Sequence, residues 1–253
     1  VSSPADRLQV VRARIAAAAR AAGRDSASVA LLAVSKTWPA GAVRELAAHG
    51  QADFGENRAQ ELLGKAGELT DLPLRWHFVG QLQRNKAAAI ARLGAVVHSV
   101  DRPALARTLA RVGVAAGRPV EIFLQVDLGG PEGEAAARGG ADPAAVPALA
   151  DEVAGLDGVR LRGLMAVAPR AEEPAPAFAR LAALAERVRA DHPDAWELSA
   201  GMSADLEPAV AAGATLVRVG TALFGQRPLA SPEDESHQSH GHQAACGPGA
   251  SER

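Results

Sequence analysis

The chain has 253 residues, a formal net charge of -2 and 48% hydrophobic residues, enough to fill one full core. Its scattered basic residues and near-balanced charge argue against a nucleic-acid or anionic-membrane partner. The single cysteine, Cys246, excludes an intrachain disulfide framework; with no signal-peptide pattern and no long charge-free apolar run, the expectation is a cytoplasmic protein without membrane contact.

Along the chain, residues 4–22 read as a helix, with Pro4 in the first turn and Leu8, Val11 and Ile15 at helical spacing. Strand-like runs follow at 29–35, 52–55, 76–80, 95–100, 120–126, 161–167, 196–199 and 215–219. Between them lie helical patterns at 40–48, 84–92, 103–115, 144–154, 175–190 and 203–212. Eight strands alternating with helices fit a (β/α)8 barrel or a doubly wound sheet. Chemistry-capable residues end many different strands: Lys36, Glu56, Asn57, His77, Asp101, Asp127, Ser199 and Thr221. Only a barrel gathers all those ends at one mouth. The expected fold is therefore α/β, a single (β/α)8 TIM barrel with an additional N-terminal helix. Residues 128–142, rich in glycine and charge, read as a flap over the mouth. The barrel is expected over residues 1–226, and residues 227–253 read as a disordered polar tail. Its His237, His240 and His242 lack the carboxylate or cysteine partner of a definite metal site.

Lys36 closes the apolar run VALLAVSK. An amine at the end of a barrel strand is a candidate for Schiff-base chemistry, or a lysine reaching to solvent. Asn57 follows the second strand, as a ligand contact or a helix cap. In the third, alternation puts Trp76 and Phe78 on one face and His77 on the other, where it either lines a ligand site or is a structural buried histidine. The ends of strands seven and eight, LSAGMS and RVGT, resemble the paired loops from which barrels build phosphate sites. Gly201 and Gly220 allow close backbone approach, Ser203 and Thr221 offer hydroxyls, and Arg218 offers charge; Ser203 is also expected to cap the following helix. Barrel closure sets strand one beside strand eight, so an amine faces a phosphate cradle. Pyridoxal 5'-phosphate suits that pair, and a Schiff-base aldolase is a rival from the same geometry.

Taken together in this order, LLAVSKTWPA, DFGENRAQE, WHFVGQLQRNK, HSVDR, RLRGLMAV and LSAGMSADLEPAVAAGATLVRVGTALFG resemble the YggS/PROSC pyridoxal phosphate homeostasis family, related to the N-terminal barrel domain of alanine racemase. The resemblance implies that Lys36 carries pyridoxal 5'-phosphate as a Schiff base. It implies that Asn57, His77, Ser199, Met202 and Ser203 line the cofactor site and that Arg218, Gly220 and Thr221 complete it around the phosphate. It further implies a protein that buffers or delivers the cofactor, with PLP-requiring apo-enzymes as candidate partners and no established catalytic reaction. Two departures stand out. Arg58 replaces the tyrosine usual after Asn57, and Arg138-Gly139-Gly140 replaces the lysine-glycine of the flap. An alanine racemase also needs a second base, a tyrosine from a C-terminal β-domain, and this chain has no tyrosine. The expectation is a monomer that holds the cofactor without efficient racemisation; weak racemase or related activity is the alternative.

Overall fold

The computed structural model describes residues 3–129 and 139–225. The tail lies outside the described residues, as does the middle of the expected flap, residues 130–138. Eight parallel strands close in sequential order into a barrel, with β8 paired back to β1. The strands are β1 (Ala30–Val34), β2 (Asp53–Glu56), β3 (Arg75–Phe78), β4 (Val96–Val100), β5 (Val120–Val126), β6 (Val159–Ala166), β7 (Glu197–Ser199) and β8 (Leu216–Val219). The helices are α1 (Pro4–Ala21), α2 (Ala40–Ala48), α3 (Ala59–Glu68), α4 (Arg84–Leu93), α5 (Pro103–Ala115), α6 (Val146–Ala154), α7 (Pro174–Asp191), α8 (Leu206–Ala211) and α9 (Thr221–Phe224). The expected barrel and its extra N-terminal helix are both present. No described helix is long and apolar enough to cross a membrane.

Local chemistry explains the helix starts. Ser3 and Asp6 form a reciprocal capping box ahead of α1, satisfying two amides that a helix start leaves free. Proline stands in the first turn of α1, α5, α6 and α7, where its missing N–H costs nothing. Each strand is covered on both sides, so its inward and outward residues are both mostly buried.

The main core lies between strands and helices, where Phe54, Phe78, Ile90, Leu105, Leu109, Ile122 and Phe178 are fully buried. Inside the barrel the packing differs. Leu32, Val34 and Leu216 form one small apolar cluster, and Val96, Phe123 and Met165 form another. At the amino-terminal mouth the strands present Asp53, Arg75, Glu121, Arg162 and Glu197, alternating in sign. Arg75 reaches Glu121 at 2.8 Å, Arg162 reaches Glu121 at 2.8 Å, and Arg162 also pairs with Glu197. Burial pushes the Glu121 carboxyl up, but Arg162 and Arg75 outweigh it and hold the group below its usual range.

α1 ties the start of the barrel to the segments around β8. Its Arg14 donates to the Ser203 carbonyl at 2.8 Å and to Glu207 Oε2 at 2.7 Å. Arg7 donates to the Leu223 carbonyl at 2.5 Å, and Arg24, just past the helix, donates to the Val210 and Ala214 carbonyls at 2.8 Å. The added helix therefore braces both the loop before α8 and the turn of α9.

At Gly163, φ is +152° and an added Cβ would sit 1.8 Å from the Glu197 carbonyl oxygen. Gly163→Ala is expected to cost roughly 3 kcal/mol, the upper end of overpacking penalties, measured as a lowered urea midpoint.

Candidate functional site

A cavity of about 860 Å³ opens at the carboxyl-terminal mouth of the barrel. Val34, Lys36, Thr37, Trp38, Asn57, Val79, Gly80, Gln81, Gln125, Met165, Val167, Met202, Ser203, Ala204, Arg218, Gly220, Thr221 and Gly225 line it. Of the nine residues expected at a site, seven are brought together here: Lys36, Asn57, Met202, Ser203, Arg218, Gly220 and Thr221.

His77 and Ser199 do not line this cavity. Trp76 and Phe78 do pack outward, and His77 does face the barrel interior. It sits too deep, however, bonded at 3.0 Å to Asp53 at the amino-terminal mouth and at 2.9 Å to His98. Strand stagger sets that depth. Ser199 is fully buried one layer below the mouth, accepting from Arg218 Nη1 at 2.9 Å.

The amine is placed by its neighbours. Inward positions alternate along β1 through Leu32 and Val34, so Lys36 continues that row into the mouth. The next residue, Thr37, has φ +70°, a conformation uncommon for a β-branched residue. Glu61 Oε2 holds it by accepting from the Thr37 N–H at 2.9 Å. Trp38 then stacks on Phe224 of α9, with ring centroids 5.9 Å apart. The loop after β1 is thus clasped to the helix after β8.

Beneath Lys36 lies a buried polar cluster centred on Glu56. Ser35 Oγ donates to Glu56 Oε1 at 2.6 Å, and Lys65 Nζ donates to the same oxygen at 2.5 Å and to the Ser35 carbonyl at 2.8 Å. Glu56 Oε2 is buried without a partner. Burial pushes the Glu56 carboxyl up, against the lowering pull of Lys65 and Ser35.

Arg218, on β8 beside β1, is the second charged group on the cavity wall. It is 5% exposed, and its recorded acceptors are neutral: the Ser199 carbonyl and hydroxyl and the Ala166 carbonyl. Burial pushes its guanidinium down to about 10, with Asp205 pulling the other way. A buried cation with neutral partners favours an anionic or electron-rich ligand beside it.

The two glycine-containing loops after β7 and β8 flank this arginine. Gly201, at φ +88°, lets α8 pack closely, since an added Cβ would meet Ala209 Cβ at 2.6 Å. The expected cap by Ser203 is not formed. α8 begins later, at Leu206, because the Asp205 carboxylate takes the Met202 N–H at 2.6 Å. This leaves the Ser203 side chain on the cavity wall. Across from it, the N–H groups of Thr221 and Ala222 open the turn of α9 and have no partner within it. Gly220 sits where an added Cβ would lie 3.1 Å from the Val34 carbonyl, so β1 and β8 approach closely there.

Asn57 is positioned by an equally tight contact, since an added Cβ on Gly80 would overlap the Asn57 carbonyl at 2.1 Å. Arg58, the departure beside it, is 74% exposed and pairs with Glu61 at 3.6 Å. The described end of the flap is tied to β5: Gln125 Nε2 donates to the Gly139 carbonyl at 2.9 Å, and the backbone of Ala141 pairs with Gln125 and Asp127. No cluster of three or more metal-ligating side chains occurs among the described residues.

For Glu56, the raised folded-state pKa means the group supports the fold most when protonated, and that support is lost as pH rises through the raised value. Removing its cation sharpens this dependence. Lys65→Met is expected to cost about 3 kcal/mol at pH 7, the scale of a broken buried pair, and less at pH 5. Urea unfolding at the two pH values checks the difference.

Residues 7–228 match the alanine racemase N-terminal domain family. A pyridoxal phosphate homeostasis protein of Pseudomonas aeruginosa is 49% identical over 232 residues, covering 92% of this chain and 99% of the relative. PipY of Synechococcus elongatus PCC7942, solved with PLP bound, is 42% identical with a TM-score of 0.77, covering 88% of this chain and 100% of that one. Its structure without PLP gives 41% identity and a TM-score of 0.78, with the same coverage. An alanine racemase of Clostridium difficile, 14% identical with a TM-score of 0.64 over 80% of this chain and 54% of its own, shares the fold. With this fold, these strand-end motifs and near full-length relatives, the chain belongs to the pyridoxal phosphate homeostasis protein family, built on the alanine racemase N-terminal barrel.

Proposed function

We propose that the chain binds pyridoxal 5'-phosphate reversibly at the carboxyl-terminal mouth and holds it for delivery, without efficient turnover. One observation carries this reading. Among the described residues lining the cavity there is one amine, Lys36, and no carboxylate, imidazole, thiol or phenol. A holder needs the amine and a cradle. A racemase needs a base on each face of the substrate carbon, and this lining offers a single one.

The residues present fit the cofactor. Thr221, Ser203 and the opening amides of α9 suit a phosphate. Arg218 supplies the charge that its own neutral partners leave unbalanced. Asn57 and the apolar Val34, Val79 and Met165 suit the edge and faces of a ring. The cofactor supplies an aldehyde carbon. Lys36 Nζ would hold the cofactor there by a reversible condensation with that carbon, water being released on binding and taken up on release. Because Lys36 is exposed, exchange with solvent needs no opening of the core. Recipients of the cofactor are PLP-requiring apo-enzymes in this reading, and the holder acts as a monomer.

Borohydride reduction after incubation with the cofactor, followed by intact mass, tests the amine. One phosphopyridoxyl group on the wild-type chain and none on Lys36→Ala is expected; an adduct that survives in Lys36→Ala overturns the assignment. Thr221→Val is expected to weaken pyridoxal 5'-phosphate binding about tenfold, the scale of one lost charge-assisted hydrogen bond, while leaving binding of unphosphorylated pyridoxal unchanged. Parallel absorbance titrations compare the two ligands.

A further inference from the structure

A line of polar side chains runs down the barrel interior, between its two apolar clusters, and the cofactor reading leaves most of it unexplained. Arg218 Nη1 donates to Ser199 Oγ at 2.9 Å. Ser199 Oγ lies 3.0 Å from His98 Nδ1, His98 Nε2 lies 2.9 Å from His77 Nδ1, and His77 Nε2 lies 3.0 Å from Asp53 Oδ1. His98 is fully buried and stacks on Phe123, with centroids 4.4 Å apart. The column therefore joins the two mouths of the barrel.

Its ends, together with two neutral rings, determine every proton between them. A guanidinium only donates and an ionised carboxylate only accepts. A hydroxyl oxygen can accept twice, so the order is set from the carboxylate: with both buried rings neutral, Ser199 gives its hydroxyl proton to His98 Nδ1. His98 must then donate from Nε2 to His77 Nδ1, and His77 from Nε2 to Asp53. Both neutral imidazoles then carry their proton on Nε2, and all the dipoles point from the cation toward the carboxylate. Burial lowers the pKa of both rings, which agrees with neutral forms. Burial pushes the Asp53 carboxyl up, but His77, Arg75 and Arg162 outweigh it and hold the group ionised.

We propose that Asp53 is a positioning residue for the cofactor site at the opposite mouth, acting through His77, His98 and Ser199 as counter-charge and orienting anchor for Arg218. The proposal rests on the reading that Arg218 meets the cofactor. Asp53 is 29% exposed on its side chain and borders a cavity of about 390 Å³ at the amino-terminal mouth. Arg24, Arg75, Arg162 and Glu197 share that cavity, and Glu121 pairs with two of the arginines. Solvent at one mouth is thus coupled to charge at the other.

Two measurements on the full chain test this. Nitrogen-15 NMR of the histidine rings, without cofactor, is expected to show His77 and His98 as Nε2–H tautomers at pH 7; an Nδ1–H tautomer at either ring overturns the column. Cofactor titrations then compare wild type with Asp53→Asn, which keeps an acceptor oxygen and removes the charge. Affinity is expected to fall about three- to tenfold, the scale of one charge-assisted hydrogen bond lost when Arg218 is anchored less firmly, and the pH midpoint of the bound cofactor's visible band to move lower as the nearby negative charge is removed. Glu197→Gln, at the same mouth but off the column, is expected to leave both in place. Equal behaviour of wild type and Asp53→Asn, or equal shifts in the two variants, sinks the proposal. Should Asp53→Asn fail to fold, the wild-type tautomers still decide it. Loss of the Lys36 adduct in wild type would instead remove the cofactor reading and leave the tautomer result standing.

Discussion

The pairing of β1 with β8 is the constraint on which the site depends. Leu32 stands beside Arg218 and Ala33 beside Val219 in a parallel register, so the first and last strands deliver their ends to one place. Lys36 and Gly220 are separated by 184 positions in sequence (220 − 36) and line one cavity. Such closure costs loop entropy that local helices do not return; the sandwich of strands against helices must supply the gain. The clasp of Trp38 on Phe224 and the arginines of α1 act on the same seam. The additional helix is therefore more than a lid on one end. It fixes the carbonyls of both loops that frame the proposed phosphate cradle.

A barrel interior this polar is affordable only because its groups are paired in order. The lower mouth carries alternating charges, and the middle carries hydrogen-bonded rings flanked by two apolar clusters. Each buried polar atom of the column has its partner, which avoids the desolvation penalty that an orphan would impose. The exceptions among the described residues are Ser99 Oγ and Glu56 Oε2, and at Glu56 a neighbouring lysine and a raised carboxyl pKa reduce the cost.

The fold was legible because alternating strand and helix patterns survive even heavy alanine content, and because chemistry-bearing residues clustered at strand ends. Strand parity was legible too: it set Trp76 and Phe78 on one face and His77 on the other, and in the fold the aromatic pair packs outward and His77 inward. Depth was not. Whether an inward residue sits at the mouth or two layers below depends on stagger between strands, which no single segment encodes; His77 and Ser199 fell one layer or more too deep for that reason. His98 and Asp53 were missed because each is an isolated polar residue in a strand, and their meaning exists only through partners on other strands. Ser203 as a helix cap failed for a local reason, since Asp205 stands nearer the helix start and its carboxylate takes the loop amide.

Two lysines sit near the same strand end, and the structure separates their roles. Lys65 is buried, and its ammonium is bound to a carboxylate and a carbonyl. Its lone pair is unavailable unless that pair is broken, and breaking it strands Glu56 in the core. Lys36 is exposed on the cavity wall, one residue beyond Ser35, whose side chain and carbonyl anchor the cluster below. The buried lysine thereby works as a foundation. It pins the strand end so that the next side chain, turned inward by the alternation of β1 and followed by the left-handed turn at Thr37, stands free over the mouth. In the proposed cofactor reading the amine of Lys36 needs both a free nitrogen and a rigid backbone; its exposure supplies the first and the Lys65 cluster beneath it the second.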